Sequence, residues 1–250
     1  PDVNESYEDF TVVNNTTIRF GLNSIKNFGD GAARAIIVER EQSGPFTSLG
    51  DFASRLPQTT INKRAMESLI KSGALDRFGG RSPMLQKVEE ISAAQHRDVV
   101  PQNQNALFAV SSSTPTIALP TDTTTLTEKL TWEKELLGIY VSGHPTDQFV
   151  EGLKKYRGSI RAALKEEREG YPVVIGGVID QAKIILTKNG GRMSFLTVTD
   201  RDGAIETVIF PKLFQEKKDL FASGKPVVIK GKISNRNGQR SVVADAARGL

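Results

Sequence analysis

At Tyr171 the spacing of apolar residues changes from the helical period of about 3.6 to the strand period of two. The two patterns bury different faces, so the chain divides into a helical part and a β part. In the β part, residues 173–179 and 183–187 read as one long strand bent at Gly176 and Gly177. The sequence KNGG at 188–191 turns the chain into a second strand, 192–199. DRDG at 200–203 turns it again into a third strand, 204–210. Pro211 opens a helix that runs through Phe214 and Leu220 to about Ser223. Strands 227–233 and 240–244 follow, joined by NRNG at 235–238.

Three strands, a helix and two strands within eighty residues is the order of a five-stranded OB-fold β-barrel, expected over 171–250. Such a barrel binds single strands across its second and third strands and beneath its first and last hairpin loops. Lys188, Arg192, Arg236 and Arg240 stand at those loops. On the second strand Met193 and Phe195 share one parity. Phe195 is either core, the preferred reading, or a platform on which a base stacks. The barrel also holds oligosaccharides and proteins, so the fold alone leaves its ligand open.

In the helical part the informative stretch is LNSIKNFGDGAARAIIV, residues 22–38. Leu22 and Ile25 close one helical turn, and the run from Ala32 to Ile37 opens a second helix. Asn27 is expected at positive φ, which Asn reaches more cheaply than most residues. Phe28 points back between the helices. Gly29 removes a side chain where the helix begins, leaving the N–H groups of Gly29, Asp30, Gly31 and Ala32 open to an anion such as a DNA phosphate. Lys26 and Arg34 flank the turn. The stretch resembles the helix-hairpin-helix motif, with Asn27 where the first glycine is usual. The structural alternative is a tight helix–helix connection and nothing more. A dinucleotide fingerprint fits poorly, because no strand precedes it and Arg34 stands where a small residue belongs.

A second hairpin follows. Phe46, Leu49 and Phe52 face a core, Pro57 ends that helix, and residues 61–74 form the next, with Ala65, Met66, Leu69 and Ile70 on one face. It lacks a Gly-x-Gly, so its role is mainly structural, with Lys63 and Arg64 as further phosphate contacts. Residues 81–97 read as one more amphipathic helix. Together these give a lead-in at 1–20 and an all-α tandem hairpin domain at 21–97.

Residues 98–125 are rich in Pro, Ser, Thr, Asn and Gln and read as a flexible linker. Within it lies Gln104-Asn-Ala-Leu-Phe108, whose adjacent Leu107 and Phe108 suit docking into a pocket on a partner. The alternative is that they pin the linker to neighbouring helices. Residues 126–170 form a helical connector: a helix over 126–140 stopped at Gly143-His144-Pro145, a second helix to about Tyr156, and a solvated helical face at 165–169. His144 is a turn residue.

Composition excludes several classes. The chain has no cysteine and only two histidines, His96 and His144, so disulfides and Cys- or His-based metal sites drop out. No apolar run approaches the ~20 residues of a membrane span. A cytoplasmic protein without membrane partners is expected. The net charge of +4 is uneven: residues 171–250 carry thirteen Lys/Arg against seven Asp/Glu, and residues 10–80 nine against six. Two basic regions suit a polyanion met at two places. The chain opens Pro-Asp-Val-Asn, and a piece of a longer protein is expected.

With these parts laid out, the chain resembles the alpha subunits of bacterial DNA polymerase III. The matching stretches are PDVN, IRFGLNSIKNFGDGAARAI, LIKSGALD at 69–76, EKELLGIYVSGHP at 133–145, and GGRMSFLTVTDRDGAIETVIF, in that order. The resemblance implies the end of a fingers region, a tandem hairpin domain holding duplex DNA, and a peptide at Gln104, Leu107 and Phe108 that binds the sliding clamp. It further implies a barrel near single-stranded template and other replisome subunits as partners. The parent enzyme adds deoxynucleotides with Mg2+ held by aspartates, and those aspartates are not found here. Asp200-Arg-Asp202 is the one Asp-x-Asp, and its context makes it a hairpin turn. Cofactors in this piece: none. Other readings are an RNA-recognition module, since such barrels hold anticodon loops, or a DNA-repair enzyme such as a ligase, which the missing cysteines count against.

Overall fold

A computed structural model describes residues 1–95, 115–149, 159–236 and 238–249, the side chains of Gln148 and Arg236 excepted. Two compact units, Pro1–Ser142 and Gly143–Leu250, each carry their own hydrophobic core.

In the first unit a two-stranded hairpin, β1 (Thr11–Asn14) and β2 (Thr17–Arg19), precedes the helices. The expected lead-in is therefore structured. It is sewn to the core as well: Val3 is fully buried and its N–H donates to the Ala74 carbonyl at 3.0 Å. A 3-10 turn at Leu22–Ser24 leads to α1 (Asp30–Ser43), followed by α2 (Leu49–Arg55) and α3 (Lys63–Ser72). Phe46 meets Phe52 edge-on at 4.9 Å, and Phe52, Met66 and Leu69 are fully buried. Ser48 caps α2 by accepting from the Asp51 N–H, and Gly73 ends α3 in the left-handed region.

The single helix expected over 81–97 is instead two, α4 (Arg81–Gln86) and α5 (Val88–Ala94), separated at Lys87 with φ −103° and ψ 12°. The break preserves the apolar spacing, since Met84, Val88 and Ile91 are all buried. Periodicity alone could not reveal it. The next helix, α6 (Leu126–Leu137), starts in a capping box between Thr125 and Glu128. It ends at Gly138, left-handed at φ 78°, earlier than the stop expected at Gly143. α6 packs in the first unit.

Residues 115–124 form a strap across this unit. A Cβ at Gly50 would lie 1.6 Å from the Pro115 oxygen, one at Gly79 2.4 Å from Leu119, and one at Gly80 2.1 Å from Asp122. At Gly50 the neighbour is backbone, so only glycine admits the strap so closely there; at Gly79 and Gly80 it is a side-chain end. Ile117 and Leu119 pack on the core, and the Ser82 N–H donates to Thr124 Oγ1 at 2.8 Å. On the other side of residues 96–114, Gln95 is buried and donates from Nε2 to the carbonyls of Leu56 and Ile61 at 2.9 and 3.0 Å.

In the second unit a 3-10 turn (Pro145–Phe149) and α7 (Ile160–Lys165) precede the sheet. The helix expected to reach Tyr156 runs into residues outside those described. α7 stops at Lys165, so the charged run 166–169 is not helical; Arg168 instead pairs with Glu166 at 2.8 Å. Five strands then close a barrel: β3 (Pro172–Leu186), β4 (Arg192–Asp200), β5 (Gly203–Ile209), β6 (Pro226–Arg236) and β7 (Gln239–Gly249). Their order around the barrel is β3-β4-β5-β7-β6, closed by a parallel pairing of β5 with β7.

β3 is long enough to serve two neighbours, pairing with β6 over Pro172–Val178 and with β4 over Val178–Leu186. Its register shifts between Ile179 and Gln181, where the bend was expected at Gly176 and Gly177. Gly177 does a different job: a Cβ there would sit 2.4 Å from the Thr199 carbonyl oxygen. Between β5 and β6, α8 (Pro211–Glu216) gives way to a 3-10 turn at Lys218–Leu220, short of the helix end expected near Ser223. Leu213, Phe214 and Phe221 join the barrel core there.

Candidate nucleic-acid interface

The corner between the 3-10 turn and α1 is built by apolar anchors. Leu22, Ile25 and Phe28 are buried, and the Phe28 N–H donates to the Ile25 carbonyl at 3.1 Å. Closing so short a turn forces Asn27 to φ 65°, the one positive-φ non-glycine residue among those described. The backbone is tied from outside by the Lys26 N–H, which donates to the Leu136 carbonyl of α6 at 2.9 Å.

Gly29 is the N-cap of α1 and offers no side chain to its orphan donors. The N–H groups of Gly29, Asp30 and Gly31 have no partner among the described residues. Ala32, expected to be open too, is not: its N–H and that of Ala33 both donate to the Gly29 carbonyl, at 3.0 and 3.1 Å. The first turn tightens and withdraws that donor. A Cβ on Gly29 or Gly31 would meet nothing within 4 Å, and neither residue has positive φ. Nothing inside the chain therefore demands glycine at either position. By contrast α3, the corresponding helix of the second hairpin, is capped by Asn62, whose Oδ1 accepts from the Ala65 N–H at 2.9 Å.

Arg64, at the start of α3, reaches back to the corner and donates from Nη2 to Asn27 Oδ1 at 3.1 Å. The fold thus brings one cation of the second hairpin onto the first. Lys26 is exposed and has no ion-pair partner among the described residues. Arg34 is exposed as well, with Nε 3.1 Å from Glu8 Oε1. Lys63 is drawn away, its Nζ held by Glu89 of α5. That contact raises the Lys63 pKa, through the hydrogen bond and then the charge of Glu89.

Gln104, Leu107 and Phe108 lie outside the described residues. At the barrel, Lys188 and Arg192 are exposed on the β3–β4 turn, which Gly190 makes at φ 75°. Arg192 lines a cleft of about 310 Å³ with Gly190, Phe214, Gln215 and Lys218. Lys218 escaped the sequence reading, which placed it inside a longer helix; no motif marks it.

On β4 the buried residues are Ser194, Leu196 and Val198, so Phe195 shares the outer face with Met193 and Thr197. The preferred reading of Phe195 as core is corrected: the barrel interior takes the opposite parity. Its cross-strand neighbours are Lys183 and Val208. Arg240 is committed elsewhere, its Nη1 to the Leu164 carbonyl and its Nη2 3.8 Å from Glu167. Arg236 ends β6, its side chain outside those described. Asp200 is a turn residue: Oδ1 accepts from the N–H groups of Asp202 and Gly203 at 2.8 and 3.0 Å, and Oδ2 from that of Ile160 at 3.0 Å.

Comparison with known proteins bears on both units. Residues 1–83 match a family model described as a helix-hairpin-helix motif, and residues 173–248 one described as an OB-fold nucleic acid binding domain. The chain is 41% identical over 236 residues to the DNA polymerase III subunit alpha of Thermus aquaticus, covering 92% of this chain and 19% of that one. It is 35% identical over 232 residues to that of Aquifex aeolicus, with coverage of 92% and 19%. With that of Vibrio cholerae it shares 31% identity over 242 residues, with coverage of 94% and 21%. It spans about a fifth of the length of these curated relatives. Among solved structures, asparaginyl-tRNA synthetase from Pyrococcus horikoshii is 17% identical with a TM-score of 0.32, over 38% of this chain and 22% of that one, too slight a likeness to weigh. No helix among the described residues is long and apolar enough to cross a membrane.

Proposed function

We propose that this chain, homologous along nearly its whole length to the alpha subunits of bacterial DNA polymerase III, grips duplex DNA without reading its sequence and tethers the polymerase to its sliding clamp. The observation that carries the grip is the pair Gly29 and Gly31: glycines at an uncapped helix start, required by neither conformation nor packing. Close approach of a phosphate to the backbone gives both a physical reason. Lys26, Arg34 and Arg64 add charge around the same corner, and Asn27 shapes it. Backbone amides and cations hold phosphates irrespective of sequence, as a copying enzyme requires.

Gln104, Leu107 and Phe108 supply the clamp contact, and a second attachment on one tether multiplies residence time by ~10² or more. The barrel takes single-stranded template through Lys188, Arg192 and Phe195, whose outward ring beside Lys183 suits base stacking. The parent reaction, deoxynucleotide addition with Mg2+, belongs to other parts of the longer chain. Asp200, read as a turn residue, spends its carboxylate on three backbone N–H groups.

A titration of duplex, single-stranded and primer–template DNA against salt tests the reading. Neutralising roughly four to six phosphates makes log K for duplex fall with log salt at about −0.9 per phosphate. A slope near zero, or a preference for folded RNA, overturns it. In the same assay with the clamp added, replacing Leu107 and Phe108 by Ala should abolish clamp capture and spare duplex binding.

A further inference from the structure

We propose that the open edge of β1, together with Arg40, receives an extended strand bearing an acidic and an apolar side chain, supplied by another part of the longer polymerase chain; the parentage of that strand rests on the function proposed above.

β1 and β2 form a sheet of two strands, and the edge of β1 turned away from β2 has no strand beside it among the described residues. An isolated two-stranded hairpin is marginal in water, and an unpaired edge with apolar side chains is a template for another strand. Val12, Val13 and Ile18 are 77%, 53% and 65% exposed, and none joins the core. A cleft of about 520 Å³ borders this hairpin, lined by Val12, Val13, Tyr7, Arg40 and the carboxylates Glu5 and Glu41, of which Glu5 is already engaged by Arg19 and Arg77.

Arg40 specifies the charge of the occupant. It projects from α1 and is only 9% exposed. Its Nη1 donates to the Val3 carbonyl at 2.9 Å, and its guanidinium lies 5.0 Å from the centre of the Tyr7 ring. Among the described residues no carboxylate comes within ion-pairing distance; burial lowers its pKa, partly offset by Tyr7 and by the more distant charges of Glu41 and Asp2. The other cation of the cleft, Arg19, is already held by Glu5. A buried guanidinium with no ion pair is costly, and the charges of Glu41 and Asp2 offset that only at longer range, so a carboxylate on the incoming strand completes the site while an apolar neighbour covers Val12. The relatives are about five times as long as this chain, so most of such a polypeptide lies outside the structure.

Amide hydrogen exchange at residues 11–14, compared between this chain and the longer polymerase chain, tests the proposal. The β1 amides that face away from β2 should exchange at least tenfold more slowly in the longer chain. Equal exchange in the two overturns it. Protection that appears in the shorter chain as its concentration rises also overturns it, by seating a second copy on the edge. Val12→Glu should leave the melting temperature of the shorter chain unchanged, because Val12 is exposed there, yet abolish protection in the longer one. Arg40→Met should abolish it as well. Protection retained in both variants sinks the assignment. Duplex titration of the same variants separates the readings, since neither residue lies at the Gly29 corner.

Discussion

Glycine means three different things in this chain, and the space around each one tells them apart. Gly177 and Gly231 are required by packing, since a Cβ would fall 2.4 Å from the Thr199 oxygen and 2.2 Å from the Val243 oxygen. Gly73 and Gly138 are required by conformation, at φ 84° and 78°. Gly29 and Gly31 are required by neither. Gly31→Ala should therefore stabilise α1 by about 1 kcal/mol, the helix-propensity difference, in a thermal melt. The same methyl stands where a phosphate would approach, so duplex affinity should fall tenfold or more, the loss of one charge-assisted hydrogen bond. A stabilised variant that binds DNA as before would remove the corner from the interface. The positive φ of Asn27 was readable in advance because so few residue types tolerate it. The loss of Ala32 as a donor was not, since it depends on how tightly one turn closes.

Among the elements, α6 is held by a buried ion pair. Arg81 and Glu133 are 3% and 0% exposed and meet at 3.0 Å, and Arg81 also donates to Asp76 at 2.8–3.2 Å. Burial pushes the Glu133 carboxyl up, but hydrogen bonds from the Ser142 hydroxyl and the N–H groups of Ser142 and Val141, with the charge of Arg81, hold it below the usual carboxylate range. A lowered folded pKa means that Glu133 stabilises the fold above its unfolded pKa of about 4.3 and that this is lost as pH falls through the folded value. Glu133→Gln should cost about 1–3 kcal/mol at neutral pH, because Arg81 loses one of its two carboxylate partners and keeps Asp76, and should flatten the acid limb of a stability–pH curve. Replacing Arg81 and Glu133 together by apolar residues should cost less than either single change. The two residues are 52 apart in sequence, and no local pattern announces their meeting. The capping box of the same helix, by contrast, lies within four consecutive residues.

At the scale of the whole molecule, the change of period at Tyr171 separates two kinds of architecture, and each unit has a core of its own. Cutting the chain between Ser142 and Gly143 should yield two fragments that each melt cooperatively, followed by circular dichroism. A fragment that stays unfolded would show that its core is incomplete. The barrel was legible because every turn carries its own chemistry, from KNGG to NRNG. The membership of α6 in the helical unit was not, because its partners, Arg81 and the Lys26 N–H, lie far back in the chain.

The strap over Gly50, Gly79 and Gly80 carries a mechanical corollary. With Gln95 and Pro115 both pinned to the helical unit, the nineteen residues between them are moored at both ends to one body. Phe108 is seven residues from Pro115, a span of at most ~25 Å when fully drawn out. On the clamp contact proposed above, a partner held at Leu107 and Phe108 would ride within that radius of its mooring, and any drag on it would be delivered to the helical unit itself.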